Sequence, residues 1–439
     1  MSSISNQDEG GMLIPTKRRP APMMLGALAL AAVSAVIGCS GGVHSTPSIS
    51  ADAQKVEGPS LASLGHRRKY IIGPPSSGVY IGADANPSAI PSPSSSVLEE
   101  QMEGLEGQMH RRLALHLLYR NWKAMTTLST ADPEIAGDIA YHRAPVIAWT
   151  CADDNATPSP WNPNGTPYNL VQIAGGAADS DLAAIRNSLA SIKNASGQTY
   201  PVILRWFWEF NANVAAGPPN YINTGLEDAR APNGNGGCFV QPGTNTNYPY
   251  PYSTAPPLTD QFINAWNHIY EQLLGNQPVP LVTFDWNPNV ANSLNGYPDA
   301  KNYFPGAATV DWIGADGYAK ENGQGNPLTF TDIFSPWYSE YDNSTYGNKP
   351  LMVGETGSCS IYAPPQTTQA EYISNVESLF DNNVTPNFPT DIRALNYFDA
   401  QGQYQINNHY CDWFFNSDGL GAWEALGADQ VFGPRVSGT

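Results

Sequence analysis

Eight short apolar segments alternate with amphipathic stretches between Tyr70 and Ala425, and this alternation predicts an α/β fold. Eight strand–helix units in a chain of 439 residues favour a single (β/α)8 TIM barrel as one catalytic domain, because single barrels routinely reach this size. The predicted strands cover residues 78–82, 113–118, 145–149, 202–206, 280–286, 310–315, 351–354 and 393–398.

Helices are predicted between the strands where apolar residues recur at helical spacing. The clearest are residues 179–193, 262–274 and 372–380. The Gly-, Asn- and Pro-rich segment 217–257 is too long for a structural turn and follows the fourth strand. A long loop at that place is expected to wall a binding cleft.

Two glutamates follow predicted strands directly: Glu209 after the fourth and Glu355 after the seventh. Barrel enzymes keep their catalytic groups at the carboxyl ends of the strands. Two carboxylates that face each other are the minimum needed to break a glycosidic bond. The plainer alternative is that each glutamate is a solvated loop residue.

Strand alternation predicts which side chains share a face around Glu209. If the extended geometry persists to the strand end, Arg205, Phe207 and Glu209 lie on one face, and Trp206 and Trp208 on the other. Four aromatic residues at or near strand ends are candidates to stack on sugar faces: Trp149, Trp208, Trp286 and Tyr397. Trp206 and Trp312 are instead expected to pack the barrel against its helices.

The composition restricts the possible partners. A formal net charge of −18 would repel nucleic acid and other anionic polymers, but it does not disfavour a neutral polysaccharide. No cluster of side chains has the spacing of metal ligands, and we expect neither a metal nor an organic cofactor. The protein is expected to be a monomer.

The first 39 residues have the features of an export signal. A basic cluster, Lys17-Arg18-Arg19, precedes an apolar run about as long as a signal-peptide core and too short to span a membrane comfortably. Val36-Ile-Gly-Cys39 resembles a bacterial lipobox, so Cys39 is the predicted site of lipidation; ordinary cleavage near a chance cysteine is the alternative. We therefore predict a signal over 1–39, a flexible linker over 40–75 and the barrel over 76–432, in a protein anchored to the cell envelope or secreted.

Four further cysteines remain after Cys39, and an exported chain can pair an even number. Each follows a predicted strand, so all four are expected on one rim of the barrel. Pairing between neighbouring loops would give Cys151–Cys238 and Cys359–Cys411.

Four sequence blocks resemble glycoside hydrolase family 26, which holds β-mannanases and some β-glucanases and β-1,3-xylanases. Arg205-x-x-x-Glu209-Phe-Asn211 is similar to its Arg-x-x-His-Glu-Met-Asn motif. Tyr303-Phe-Pro-Gly306 with Val310-Asp-Trp-Ile-Gly-Ala-Asp-Gly-Tyr318, Trp286-Asn-Pro-Asn289 and Lys349-Pro-Leu-Met-Val-Gly-Glu355 are similar to three further blocks, in the same order and with rough agreement in spacing. Each block alone is weakly specific, and together they are strongly so.

The resemblance implies a role for each matching residue. Glu209 would be the general acid/base and Glu355 the nucleophile of a retaining hydrolase, with Tyr318 donating a hydrogen bond to Glu355. Arg205, Asn211 and Asp316 would belong to the substrate-binding site, Arg205 also helping to keep Glu355 ionised. The plainer alternatives are that Arg205 satisfies a buried carboxylate and that Asp316 orders its strand.

One position departs from the family. The family has a His immediately before its acid/base, where it helps to read the sugar, and this chain has Trp208. An indole has one N–H donor and no acceptor, so it cannot reproduce the hydrogen bonding of an imidazole. Three functions therefore compete: an endo-acting β-1,4-mannanase, a β-1,3/1,4-glucanase or β-xylanase with the same fold, and a surface lipoprotein that binds glycan without cutting it.

Overall fold

The computed structural model describes the barrel but leaves out several segments around it. The described residues are 72–86, 94–149, 168–211, 256–275, 280–290, 300–320, 326–362, 366–382, 390–400, 405–406, 409–410, 412–437 and 439. The predicted signal with Cys39 lies outside them, as do Cys151, Cys238, Cys411 and most of the predicted linker. The segment 217–257 is also outside, apart from its last two residues.

Eight parallel strands close into one barrel in chain order, within the compact unit Leu61–Thr439. The strands are β1 (Tyr80–Asn86), β2 (Leu115–Arg120), β3 (Ala144–Trp149), β4 (Val202–Trp206), β5 (Val282–Trp286), β6 (Trp312–Ala319), β7 (Leu351–Ser358) and β8 (Ile392–Ala400). The last strand pairs with the first along seven residues, which leaves no free edge. The predicted (β/α)8 TIM barrel is therefore confirmed, and every predicted strand overlaps an observed one.

Helices surround the barrel and connect its strands. Those described are α1 (Ser95–Gln108), α2 (Trp122–Thr127), α3 (Pro133–Tyr141), α4 (Leu170–Ala174), α5 (Asp179–Ser191), α6 (Leu258–Leu274), α7 (Phe330–Tyr341), α8 (Gln369–Asn382) and α9 (Ser417–Ala428). Short 3-10 helices cover Ala300–Tyr303, Ser344–Tyr346 and Gln430–Phe432, and a two-stranded antiparallel pair joins β9 (Gln405–Ile406) to β10 (His409–Tyr410). None of the helices in the described ranges is long and apolar enough to cross a membrane.

Alternation along the strands separates two cores. The larger core lies between strands and helices and takes Trp149, Trp206 and Trp286. The smaller core fills the barrel interior with residues from several strands, among them Trp312. The prediction that Trp206 packs the barrel against its helices is confirmed, whereas the same prediction for Trp312 is wrong, because Trp312 lies inside the barrel.

One residue of the predicted linker packs inside the barrel. Ile72 is 3% exposed and belongs to the interior core. Its backbone N–H donates to Thr283 Oγ1 at 2.8 Å, and its carbonyl accepts from Trp312 Nε1 at 2.7 Å. The end of the predicted linker is therefore a structural part of the barrel domain.

Candidate active site

The extended geometry of the fourth strand does not persist to Glu209. β4 stops at Trp206, and both Phe207 and Glu209 have positive φ, 54° and 56°. Non-glycine residues seldom adopt this conformation, which persists only where surrounding contacts enforce it. Backbone hydrogen bonds do so here, from Phe207 N to Trp149 O at 2.6 Å and from Glu209 N to Asn287 O at 2.8 Å.

This turn corrects the predicted distribution of faces. Phe207 packs into the outer core against Phe262, so it does not share a face with Arg205. Trp208 does not join Trp206 either, and its ring lies 5.4 Å from that of Tyr119 in an edge contact. The left-handed backbone conformation at Phe207 breaks the alternation of the strand and places Trp208 beside Tyr119, which donates to Glu355.

Glu355 sits within β7, opposite Asp316 of β6. The preceding residue must be small, because a Cβ on Gly354 would lie 2.0 Å from Asn287 Oδ1 and 2.6 Å from Asp316 Oδ1. Gly314 of β6 leaves room for the same amide, since its Cβ would lie 2.2 Å from Asn287 Oδ1. The two glycines let the segment after β5 place a buried amide beside the acidic residues.

Among the described residues, three side chains donate hydrogen bonds to the Glu355 carboxylate. Tyr119 Oη and Arg205 Nη1 donate to Oε1 at 2.7 and 3.1 Å, and Tyr318 Oη donates to Oε2 at 2.5 Å. The contact from Tyr318 is the one that the family resemblance implies. Glu355 is 2% exposed, so these donors replace the water that an ionised carboxylate would otherwise require.

Arg205 is the buried cation of the site. Its Nη2 donates to both oxygens of Asp316, at 2.8 and 2.7 Å, and its Nε lies 3.7 Å from Asp285 Oδ2. Arg205, Asp285 and Asp316 are 0% exposed. Burial opposes the charge of Arg205, but Asp316 and then Glu355 outweigh it and raise the pKa of the guanidinium, so it stays charged.

Glu209 and Glu355 face one another despite their separation in sequence. Single carboxylate oxygens from Glu209, Asp316 and Glu355 all lie within 4.8 Å of one another. Glu209 is partly exposed. Burial, and then the charge of Glu355, raise the pKa of Glu209 from 4.5 to about 8, while Lys320 opposes the rise. At neutral pH Glu209 therefore carries a proton that it can donate.

Several predicted substrate contacts are fully buried instead. Trp149 and Trp286 are 0% exposed in the outer core, against Trp122 and Phe210 respectively. Tyr397 is 1% exposed and stacks on Phe415. The prediction that these three rings stack on sugars is wrong, because each points away from the barrel axis.

Arg205, Asp316 and Asn211 lie beneath the site and are 0% exposed, so direct contact with substrate is also wrong for them. Asn211 Nδ2 donates to Asn289 O at 2.9 Å, and its Oδ1 accepts from Asn289 N at 2.8 Å. This pair fastens the turn that carries Glu209 to the segment after β5. Asn211 therefore positions the site, as do Arg205 and Asp316.

A series of aromatic rings borders Glu355, and we call it the aromatic collar: Trp208, Tyr119, Phe398, Tyr318 and Trp413. Neighbouring ring centroids are 5.4, 6.2, 6.0 and 4.6 Å apart in that order. Trp208 is 2% exposed, so the prediction that its ring stacks on a sugar is wrong as well. Tyr119 and Tyr318 are partly exposed and offer hydroxyl groups beside the carboxylate.

Tyr119 and Lys320 are among the residues of the site that were missed from the sequence. Tyr119 comes directly after the predicted second strand. Every second residue of a strand points to the same face, so the inward positions of Leu115 and Leu117 could have indicated that Tyr119 also points into the barrel. Lys320 follows β6, and no local pattern distinguishes it from a surface lysine. It matters because its charge lowers the pKa of Glu209.

The oxygens of Glu209, Asp316 and Glu355 are close enough together to hold a metal ion. Arg205 already supplies positive charge to Asp316 and Glu355, and phenolic hydroxyls donate to the latter. This donor set suits a pair of ionisable carboxylates better than a cation site. Among the described residues a second such group, Glu99, His116 and Asp138, is likewise contacted by a guanidinium, that of Arg143.

Cys359 is disulfide-bonded. It belongs to a buried cluster with Tyr362, Phe398 and Trp413, next to the aromatic collar. Every other cysteine lies outside the described residues, so Cys359–Cys411 and Cys151–Cys238 stay predictions.

Similarity to known proteins is confined to structure. No protein-family profile matches the chain, and no curated protein matches it. The catalytic domain of a family 26 endo-β-1,4-mannanase from Bacillus sp. JAMB-750 superposes with a TM-score of 0.50 at 13% identity, over 81% of this chain and 86% of that one. The family 26 domain of an endo-β-mannanase/endo-β-glucanase from Prevotella bryantii gives 0.49 at 12% identity, over 81% and 90%. A family 26 β-mannanase from Bacteroides ovatus gives 0.44 at 12% identity, over 81% and 89%. The resemblance predicted from the motifs is thus confirmed at the level of the fold: this chain has a barrel fold like that of glycoside hydrolase family 26.

Proposed function

We propose that the protein is a retaining glycoside hydrolase that cleaves β-linked polysaccharide internally, and that its substrate is β-1,4-mannan. The observation that carries the proposal is the pair of opposed carboxylates in unequal surroundings. Glu209 has a raised pKa and retains a proton, whereas Glu355 accepts hydrogen bonds from two phenols and a guanidinium. Retaining hydrolases need one acid and one ionised nucleophile at short separation.

The reaction follows from this division of roles. Glu355 attacks the anomeric carbon while Glu209 gives its proton to the departing glycosidic oxygen, which leaves a covalent glycosyl ester and an ionised Glu209. The ionised Glu209 then accepts a proton from water as that water attacks the ester. The raised pKa of Glu209 suits the first half, in which it must carry a proton. In the second half Glu355 is an uncharged ester and no longer opposes the ionisation of Glu209, which can then act as a base.

The choice of mannan rests on the family motifs and is the finer part of the proposal. A β-1,3/1,4-glucan or a β-xylan is the second candidate, favoured by Trp208 at the position of the family's His. Mannose and glucose differ in the 2-hydroxyl, whose hydrogen bonds strengthen in such transition states. An indole has no acceptor, so it cannot reproduce the hydrogen bonding of the family's imidazole to that hydroxyl.

Reducing-end release from β-mannan, mixed-linkage β-glucan, β-1,3-xylan and β-1,4-xylan separates these candidates. We expect release from mannan, and its loss in Glu355→Ala and Glu209→Ala. Glu371→Gln, which changes an exposed glutamate of α8, is the matched control and should keep wild-type activity. Full activity in Glu355→Ala would contradict the assigned nucleophile, and glycan binding without release would support a binding protein instead.

We also propose that the protein is exported and held to the envelope by lipid at Cys39, with a neutral polysaccharide and no nucleic acid as its partner. The support is the lipobox-like sequence and the net charge of −18. Metabolic labelling with an alkyne fatty acid should mark the wild type and not Cys39→Ser. Equal labelling of both would reject the anchor.

A further inference from the structure

The two oxygens of Glu355 are not equally occupied. Oε1 accepts from both Tyr119 and Arg205, whereas Oε2 accepts, among the described residues, from Tyr318 alone. A carboxylate has about four lone-pair sites, two on each oxygen. Both sites of Oε1 are therefore filled, whereas the described residues leave one site on Oε2 for bond formation.

Tyr119 is held firmly in the place from which it donates. It lies near the carboxyl end of β2, in register with Ala148 of β3. The edge contacts with Trp208 at 5.4 Å and Phe398 at 6.2 Å fix its ring on two sides. Both neighbours are at least nine-tenths buried, so the phenol has little freedom to turn its hydroxyl away from Glu355.

We propose that Tyr119 is a second positioning residue for the nucleophile, which together with Arg205 holds Oε1 and so presents Oε2 to the anomeric carbon. The inference rests on the proposed hydrolase function and adds a role that the family motifs do not assign to this position. Trp208 contributes to the same arrangement, because its indole packs against the ring of Tyr119.

The role has different consequences for the two halves of the reaction. In the first half, Oε2 forms a bond to the anomeric carbon, the glycosidic C–O bond breaks, and Glu209 protonates the departing oxygen. Oε1 then becomes the carbonyl oxygen of the ester and loses negative charge. In the second half, water replaces Oε2 at the anomeric carbon and the charge returns to the carboxylate. A donor on Oε1 therefore stabilises the departing carboxylate and accelerates hydrolysis of the ester.

The substitution Tyr119→Phe removes the donor and keeps the ring that packs on Trp208 and Phe398. The probe is 2,4-dinitrophenyl β-mannobioside, or the β-cellobioside if the polysaccharide panel identifies a β-glucan, because its good leaving group makes the first half fast. We expect kcat to fall about 10- to 100-fold, as the loss of a hydrogen bond to a charged group implies, and KM to fall with it as the ester accumulates. The burst of dinitrophenol should become larger relative to the steady state.

A pH profile gives an independent readout. The hydrogen bond from Tyr119 stabilises the charged carboxylate, so without it the acidic limb of kcat/KM should move to higher pH in Tyr119→Phe. Among the described residues, the other charged or titratable groups that interact with Glu355 are Asp84 on β1, Arg205 and Glu209 on and after β4, and Asp316 and Tyr318 on β6. Lys320 after β6 and Asp399 on β8 interact in turn with Glu209 and Asp84. All of them are unchanged in the variant.

Tyr346→Phe is the matched control. Tyr346 Oη also donates to a carboxylate, Glu340 Oε1, at 3.0 Å, in a contact between α7 and the following 3-10 helix. This variant should keep the kinetics and pH profile of the wild type. Unchanged kinetics in Tyr119→Phe would overturn the inference. So would a fall in kcat that is accompanied neither by a fall in KM nor by a shift of the acidic limb. Both results would leave the hydrolase function intact. A wild type that releases no sugar from any glycan would overturn both.

Discussion

Removing the charge of Glu355 tests whether the two carboxylates sense each other as the structure implies. Burial and the Glu355 charge both raise the pKa of Glu209 to about 8. Glu355→Gln keeps the shape of the side chain and deletes the charge, so the pKa of Glu209 should fall. Burial remains, and it should keep that pKa above the usual value for a glutamate.

The size of the fall follows from the separation of the two groups. At 4.8 Å, the upper limit of the separation between the two carboxylate oxygens, two unit charges in surroundings of effective dielectric constant about 20 repel by about 3.5 kcal/mol, which corresponds to a change of about 2.5 in pKa. Glu209 is partly exposed, and water on that side screens the interaction. We therefore expect a fall of about 1 to 2 units.

Carbon-13 NMR of protein labelled at the glutamate carboxyl carbons measures this pKa without requiring activity. Glu209→Gln identifies the resonance by its loss, and Glu371→Gln is the control that should leave the titration unchanged. A Glu209 that still titrates near 8 in Glu355→Gln would refute the reasoning, since burial alone would then explain the raised pKa.

Three other substitutions test the surroundings of the pair. Arg205→Met leaves Asp316 buried without its cation and should lower the free energy of unfolding, measured by urea denaturation, by about 3 to 5 kcal/mol. A negligible loss of stability would contradict a structural role for the ion pair. Lys320→Met removes a charge that lowers the pKa of Glu209, so the basic limb of kcat/KM should move to higher pH. A shift to lower pH would contradict this effect of Lys320 on Glu209. Gly354→Ala places a Cβ where a buried amide now lies, and it should lower both the thermal midpoint and kcat; an unchanged midpoint would count against such close packing around Gly354.

The order of the strands and the position of each glutamate could be predicted because both depend on local patterns. Apolar runs mark strands regardless of their partners, and carboxyl ends of parallel strands meet at one end of a barrel. Asp316 and Glu355 could therefore be placed on neighbouring strands from the sequence alone. The sequence motif also identified Tyr318 as a donor to Glu355.

The direction of side chains at strand ends could not be predicted in the same way. Alternation holds only while the backbone is extended, and the positive φ of Phe207 reverses it within one residue. Trp149 shows the opposite case: its strand is regular to the end, but parity directs the ring outward. An aromatic residue near a strand end is thus a candidate to stack on a sugar only if it lies at a strand position whose side chain points into the barrel.

The stereochemistry of the first product tests the central claim most directly. Two carboxylates whose oxygens approach within 4.8 Å leave no space for a water between the sugar and Glu355, so the reaction should proceed through a glycosyl ester. Proton NMR of the anomeric signal, recorded before mutarotation, should find the β anomer first. Initial appearance of the α anomer would mean direct attack by water and would contradict the role assigned to Glu355.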